Sequence, residues 1–296
     1  MKRFAPVLLL SSALTVALSL ADAQTARIQY TPAAGTKTRY QTVTKTSAQV
    51  LDFAATGISA EQQAQAKQQL VSATSTQTTI DSSETVQKPA ADGSRRVNSV
   101  LTMTISTGAS AQTLKAGFDT VTLYRASGGV EIEQFKLDKK RTDANLASAL
   151  EANSSSFKNL FSQASAFSFY GKTLSATPTE VVAEIPAPAM AANLNLKYRT
   201  RTTYTLLGRT ANGGVRIGTT TQLEPVNYSG TQQGAKVTLK MEATPAKGEI
   251  TLLPDGRIEN ASTPSDLTLT TNTSASNGSL RYTLRIKTTT DIRIVR

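Results

Sequence analysis

The chain has 296 residues, with no cysteine, histidine or tryptophan, and a formal net charge of +11 at pH 7. Without Cys or His there is no disulfide framework, no Ser-His-Asp triad and no zinc site of the usual ligands, so the fold must hold by its core alone. The basic excess is uneven: residues 24–190 carry 16 Lys and Arg against 13 Asp and Glu, while residues 191–296 carry 14 against 7.

Residues 1–23 read as a secretory signal peptide. Lys2 and Arg3 precede an apolar run from Val7 to Leu20, and Ala21-Asp22-Ala23 has the small-x-small form of a cleavage site. Ser11, Ser12 and Thr15 interrupt the run, and a membrane span needs about 20 apolar residues in a row. The expected product is exported, periplasmic or extracellular, without a transmembrane anchor.

Residues 24–142 are expected to form an N-terminal β half. Segments 36–50, 72–86, 95–106 and 119–135 are strand-like and mostly Thr-rich. Between the first two lies SAEQQAQAKQQL, in which Ser59-Ala60-Glu61-Gln62 has the form of a capping box and the Ala/Gln/Lys content favours a helix. That helix is polar all round and predicts a surface connection.

Residues 143–190 break the β pattern. The stretch from Asp143 to Tyr170 reads as helical and gathers Phe157, Phe161, Phe167, Phe169 and Tyr170. Pro178, Pro186 and Pro188 then predict an extended linker.

Residues 191–296 form the basic C-terminal β half. LNLKYRTRTTYTLL alternates apolar and basic or polar residues, Ala211-Asn212-Gly213-Gly214 turns the chain, and KVTLKMEA repeats the alternation. Pro254-Asp255-Gly256 is a second turn, joining GEITLL to RIENAS. Short connections of this kind predict an antiparallel meander. In the closing segment, Leu280, Tyr282, Leu284, Ile286, Ile292 and Ile294 share one parity, and Arg281, Arg285, Lys287 and Arg293 the other. At about 3.3 Å per residue this strand runs roughly 50 Å, and a strand so long twists and coils. TLYRASGGVEI is laid out like TLLPDGRIEN, and RYQTVTKT like KYRTRTTY, in the same order in both halves. The fold expected is mainly β: curled antiparallel sheets, half-barrel-like, in two related halves, with one or two short helices and the apolar face inside.

GEITLLPDGRIENASTPSDLTLTT resembles the repeated hairpin of uncharacterised secreted β-rich bacterial families, and the expected architecture resembles the LolA-type lipoprotein carriers and LppX-type lipid carriers of bacterial envelopes. The resemblance implies a non-enzymatic envelope role and carries over no functional residue.

Candidate chemistry is sparse. Ser155-Ser156-Phe157-Lys158 fits S-x-x-K without its companion elements. Glu131 and Glu133 share a strand face and read as solvated rather than as paired catalytic carboxylates. No phosphate-binding loop or EF-hand spacing occurs, so the chain is expected to be no enzyme and to need no cofactor. Two surfaces remain. Phe157, Phe161, Phe167, Phe169 and Tyr170 are expected either to fill the sheet as core or to close as a lid over a lipid or other apolar small molecule. Lys197, Arg199, Arg201, Lys236, Lys240, Arg281, Arg285, Lys287 and Arg293 lie opposite the apolar parity. They are expected to serve solubility or to attract an anionic envelope polymer. Interleaved Thr gives no stacking platform, so sequence-specific nucleic-acid binding is not expected.

Overall fold

The computed structural model describes residues 25–107, 113–152, 168–186, 197–232, 234–276 and 278–295. The segment read as a signal peptide lies outside them, as do Phe157, Phe161, Phe167 and the S-x-x-K motif. No helix among the described residues is long and apolar enough to cross a membrane.

The first described element is a two-residue strand, β1 (Ala26–Arg27), followed by the long β2 (Lys37–Ala55), helix α1 (Ala60–Thr74), β3 (Thr76–Val86), β4 (Arg95–Thr107), β5 (Thr113–Tyr124) and β6 (Val130–Asp138). A 3-10 turn (Lys139–Arg141), helix α2 (Ala144–Ala152), β7 (Thr173–Leu174) and β8 (Thr179–Pro186) follow. The chain continues through β9 (Lys197–Arg209), β10 (Val215–Leu223), β11 (Val226–Gln232), β12 (Ala235–Thr244), β13 (Ala246–Leu252), β14 (Ile258–Ala275) and β15 (Gly278–Ile294). Among the described residues the fold is mainly β and antiparallel, with two α-helices, and the main sheet does not close into a barrel.

Eleven strands of the 13-stranded sheet run β6-β5-β4-β3-β2-β15-β14-β13-β10-β9-β8, and β11 and β12 branch from this row. Strands from early and late in the sequence meet at its centre, where β2 pairs with β15 from Tyr40↔Ile294 to Ala55↔Leu280. The C-terminal strands are not a simple meander. β10 skips its sequence neighbour to pair with β13, and the β11–β12 hairpin attaches to the far half of β14. β14 therefore forks: residues 258–262 pair with β13, and residues 266–274 with β12. Pro264 sits in the gap, bonded in register only to Thr289 of β15 on the other side. A residue without an N–H is tolerated where the ladder has no partner for it.

Helix α1 begins as its sequence indicates. Ser59 Oγ accepts from the Gln62 N–H, and Gln62 Oε1 accepts from the Ser59 N–H. No residue of the helix is buried. It packs beside the part of β2 that β3 leaves uncovered, with Lys67 Nζ 5.4 Å from the centre of the Phe53 ring.

Four hairpin turns at one end of the sheet share a hydrogen-bond pattern. Ala90–Ser94, Arg125–Gly129, Thr210–Gly214 and Leu253–Arg257 each pair the first N–H with the fifth carbonyl, and the fourth N–H with the first carbonyl. The fourth residue is glycine at positive φ in every case: Gly93, Gly128, Gly213 and Gly256. In three of them Asp92, Asn212 or Asp255 accepts from the N–H two residues on. The exception is Ser127, whose turn instead gives its Gly129 N–H to the Tyr170 carbonyl.

That end of the sheet is narrow. The β1–β7 pair and its flanks form a plug, with Ile28, Phe169 and Leu174 all at or below 2% exposure. The same cluster takes Val86, Val97 and Tyr124 from one arm, and Tyr204, Ile217 and Ile250 from the other. Val130 of edge strand β6 and Val181 of edge strand β8 pack against it too. Two opposite edges of one sheet can reach a common cluster only if the sheet curls around it. Further from the plug the core splits. One cluster gathers Val226, Leu239, Met241 and Leu269, and another gathers Met103, Ala116, Phe118 and Leu150 under α2. The sheet is a trough, closed at the plug and open beyond it.

Two of the turns, those of Gly128 and Gly256, are pinned to the plug by close backbone approach. A methyl group on Gly256, at φ +82°, would lie 1.9 Å from the Gln29 carbonyl oxygen, whereas one on Gly93, at φ +84°, would meet nothing nearer than 3.5 Å. Gly256→Ala is expected to cost about 3 kcal/mol or more, and Gly93→Ala only the left-handed backbone term of about 1–2 kcal/mol. Urea midpoints of the two variants measured side by side check the ordering.

Candidate functional site

Strand parity brings a carboxylate into the narrow end. On β3, Ile80, Ser82, Glu84 and Val86 face the trough, with Glu84 opposite Thr38 of β2 and Ser99 of β4. Around it stand tyrosines from four parts of the chain. Tyr30, beyond β1, stacks on Tyr124 of β5 with ring centres 3.8 Å apart and planes 14° apart. Tyr170 meets both edge-on, at 6.0 and 5.3 Å. Tyr40 of β2 completes the group, and between these rings and Glu84 is a cavity of about 90 Å³. Half-buried Thr42, Ser82 and Ile292 also line it. Those three lie on the trough floor, so the cavity communicates with the trough.

The polar groups here are unevenly satisfied. Tyr170 donates its hydroxyl to the Gly256 carbonyl at 2.6 Å. Arg257 is held by Asp255, 2.8 Å away, and donates to Thr38 Oγ1 at 2.8 Å. Glu84 has no ion pair or hydrogen bond among the described residues, and neither do the hydroxyls of Tyr30, Tyr40 and Tyr124. Burial pushes the Glu84 carboxyl up to about 7, against a partial pull downward from Arg257. Burial, with Glu84 as the next cause, also raises the phenols of Tyr30, Tyr40 and Tyr124 far above their ordinary value. For Tyr170 burial acts with the neighbouring phenols in the same direction. The phenols are neutral donors and acceptors at any physiological pH.

Beyond the cavity the trough floor carries two successive polar rungs, followed by apolar ones. Thr44 and Thr290 share a hydrogen bond at 3.1 Å, and Thr46 and Thr288 one at 3.2 Å. On either side lie half-buried apolar residues: Ile80, Leu101 and Ile105 towards β4, and Leu267, Tyr282 and Ile286 towards β14. From Leu280 to Ile294 the trough-facing residues of β15 are half-buried, or buried at Leu284, while Arg281, Arg285, Lys287 and Arg293 are exposed. A larger depression of about 340 Å³ runs along β11 and β12. Its one charged lining residue, Lys240, is paired with Glu242 at 2.8 Å.

Of the residues expected to line an apolar site, Phe169 and Tyr170 are core. They are 0% and 5% exposed and belong to the plug. Phe157, Phe161 and Phe167 lie outside the described residues. The outward face is an ion-pair ladder rather than a bare positive surface, because register places a carboxylate directly or diagonally across from most of its arginines. Arg199 meets Glu184 at 3.2 Å, Arg201 meets Glu180 at 2.8 Å, Arg281 meets Asp52 at 2.6 Å and Arg285 meets Asp266 at 2.6 Å. Arg293 donates to Gln41 Oε1 at 2.6 Å. Lys236 and Lys287 are exposed without an ion pair among the described residues, and the side chain of Lys197 is not among those described. The hydrogen bond from Arg285, with weaker help from Lys287, holds the Asp266 carboxyl below its usual range. Glu131 and Glu133 are paired separately, with Arg125 and Arg96, and do not face each other as an acid/base couple.

The Glu84–tyrosine cavity was not legible in the sequence. Its only trace was the single carboxylate on the inward parity of a Thr/Ser-rich strand. Comparisons with protein-family models, with curated proteins and with solved structures found no match. The chemistry of the trough and its cavity therefore carries the functional reading.

Glu84 should make stability depend on pH in an unusual direction. The carboxyl titrates near 4.5 when unperturbed and near 7 in the fold. The folded state thus holds the extra proton between those values, and the Glu84 contribution weakens as pH rises through that window. Glu84→Gln should be more stable than the parent chain at pH 8, and the difference should vanish below about pH 4.5. Paired urea unfolding of parent and variant at pH 4.5 and 8 measures it.

Proposed function

We propose that the protein is an exported, non-enzymatic binding protein whose trough takes a lipid-like apolar ligand. One observation carries the reading: beyond the plug, a set of inward apolar side chains beside the two smaller buried clusters stays half-buried. Ile80, Leu101 and Ile105 on one flank, and Leu267, Tyr282 and Ile286 on the other, line a curved floor whose opposite edges do not pair. Apolar surface presented on a concave wall favours an apolar occupant, at roughly 25 cal/mol per Å² removed from water. The Thr rungs between the flanks add hydroxyls that orient a polar headgroup or linkage without adding charge. Export rests on the signal-like leader.

Attachment to an anionic polymer through the outer face finds less support. Five of its nine basic residues, Arg199, Arg201, Lys240, Arg281 and Arg285, already have carboxylate partners. Exposed pairs of this kind contribute about 0–1 kcal/mol each, and their carboxylates offset the positive charge at those five positions.

The test is native mass spectrometry of the chain purified from a bacterial envelope fraction, followed by organic extraction. A stoichiometric lipid is expected, and Ile286→Glu should cut the retained lipid at least several-fold by placing a charge on the floor. An apo mass that stays unchanged when lipid is offered overturns the reading.

A further inference from the structure

The cavity at the narrow end presents a specific set of unsatisfied groups. It has one carboxylate, Glu84, with no ion pair or hydrogen bond, and three phenol oxygens, those of Tyr30, Tyr40 and Tyr124, also without partners among the described residues. Arg257 stands near but is committed to Asp255 and Thr38. Glu84 is half-buried, and a carboxylate partly withdrawn from water is costly to ionise unless a positive partner reaches it. The occupant that satisfies this set can be narrowed by chemistry. An anion is repelled by Glu84. A divalent metal ion needs several anionic or carbonyl oxygens, and no group of three or more metal-ligating residues exists among the described residues. A neutral apolar molecule leaves the carboxylate unpaired. A primary ammonium supplies a positive charge for Glu84 and N–H donors for the phenol oxygens, and aromatic surroundings favour a cation. The volume of about 90 Å³ accommodates a headgroup of a few heavy atoms, and Ile292 and Ile258 offer apolar wall to its first methylenes.

We propose that this cavity binds the protonated amino group of a small alkylamine, with Glu84 as its counter-ion and the phenol oxygens of Tyr30, Tyr40 and Tyr124 as hydrogen-bond acceptors. The site goes beyond the apolar trough and stands without it, since a short amine is too small to use the trough floor. A longer amine would enter along Thr42, Ser82 and Ile292 and lay its chain on that floor.

The site is pH-dependent by construction. The groups that face Glu84 are the phenols of Tyr30 and Tyr170 from the plug, Tyr40 from β2 and Tyr124 from β5, with Arg257 and Asp255 from the turn before β14. The phenols stay neutral, so the titration that matters is that of Glu84, near 7. An alkylamine remains protonated throughout, with a pKa of about 10 like that of lysine. Affinity should therefore be full at pH 8.5 and about 30-fold weaker at pH 5.5, where only a few per cent of Glu84 is ionised.

Calorimetric or NMR titration of the full chain with n-propylammonium chloride tests this, with sodium propionate and tetramethylammonium chloride as controls. Saturable binding of propylammonium at pH 8.5 is expected, about 30-fold weaker at pH 5.5 and lost in Glu84→Gln, with no binding of propionate. Glu84→Gln keeps the fold, and its urea midpoint at the same pH verifies that. No saturable binding at pH 8.5, or binding unchanged in Glu84→Gln, overturns the proposal. Equal affinity for tetramethylammonium, which has no N–H, overturns the hydrogen-bonded recognition by the phenols. The lipid-extraction result does not bear on any of these readouts, so this site and the trough fail or stand separately.

Discussion

Everything in this fold depends on the plug that joins the two arms of the sheet. An open antiparallel sheet with one wet face and one apolar face must cover the apolar face or expose it. Here Ile28, Tyr30, Phe169, Tyr170 and Leu174 enter the curl and bury themselves against strands from both arms. Backbone bonds fix them there: Ile28 N–H to Lys172 O, Gly171 N–H to Ile28 O, and Thr31 N–H to Asp255 O. Each fully buried side chain of this size contributes about 1.5–3 kcal/mol relative to exposure. With no disulfide, that cluster is what holds β6 and β8 within reach of one another. Gly128 and Gly256 at two hairpin tips matter for the same reason, since the plug's backbone passes where a Cβ would stand.

Packing the narrow end with tyrosine has an electrostatic consequence. Phenol rings fill volume as phenylalanine would, but each brings a hydroxyl into a place with few partners. Tyr170 and Tyr204 find them, in the Gly256 carbonyl and the Ser168 hydroxyl. Tyr30, Tyr40, Tyr124 and Glu84 converge instead on a small cavity. A core selected only for stability would set an apolar residue at position 84, as β3 does at Ile80 and Val86 on the same face. A half-buried carboxylate without an ion pair among the described residues costs stability that an apolar side chain would not.

The outer face obeys a different rule. Its charges sit on neighbouring strands directly opposite or diagonal to one another, as Arg285–Asp266 and Arg216–Glu249 do. Cross-strand pairs of opposite sign add a few tenths of a kcal/mol to about 1 kcal/mol each and resist slippage of register. In strands as long as β2, β14 and β15, where Thr follows Thr, register is otherwise weakly specified. The ladder thus helps fix which residue faces which on the strands that carry it.

What the sequence alone determined was local. Period-two alternation marked the strands and told the inner parity from the outer, because side chains alternate sides with every residue. Ser59 and Gln62 marked the start of α1, and Asn212-Gly213 and Asp255-Gly256 marked turns, because capping and positive φ are settled within a few residues. The tertiary structure decided which strands pair and what fills the curl. Nothing near Pro264 announces that β14 changes partners there, and nothing near Arg285 announces that Asp266 neutralises it. Phe169 and Tyr170 looked alike as lid or core until the plug placed them. Glu84 gained its character only when tyrosines up to 86 residues away arrived beside it. Local signals fix conformation because they act through bonds and near neighbours. Burial, pairing and pKa depend on groups brought together by the whole fold.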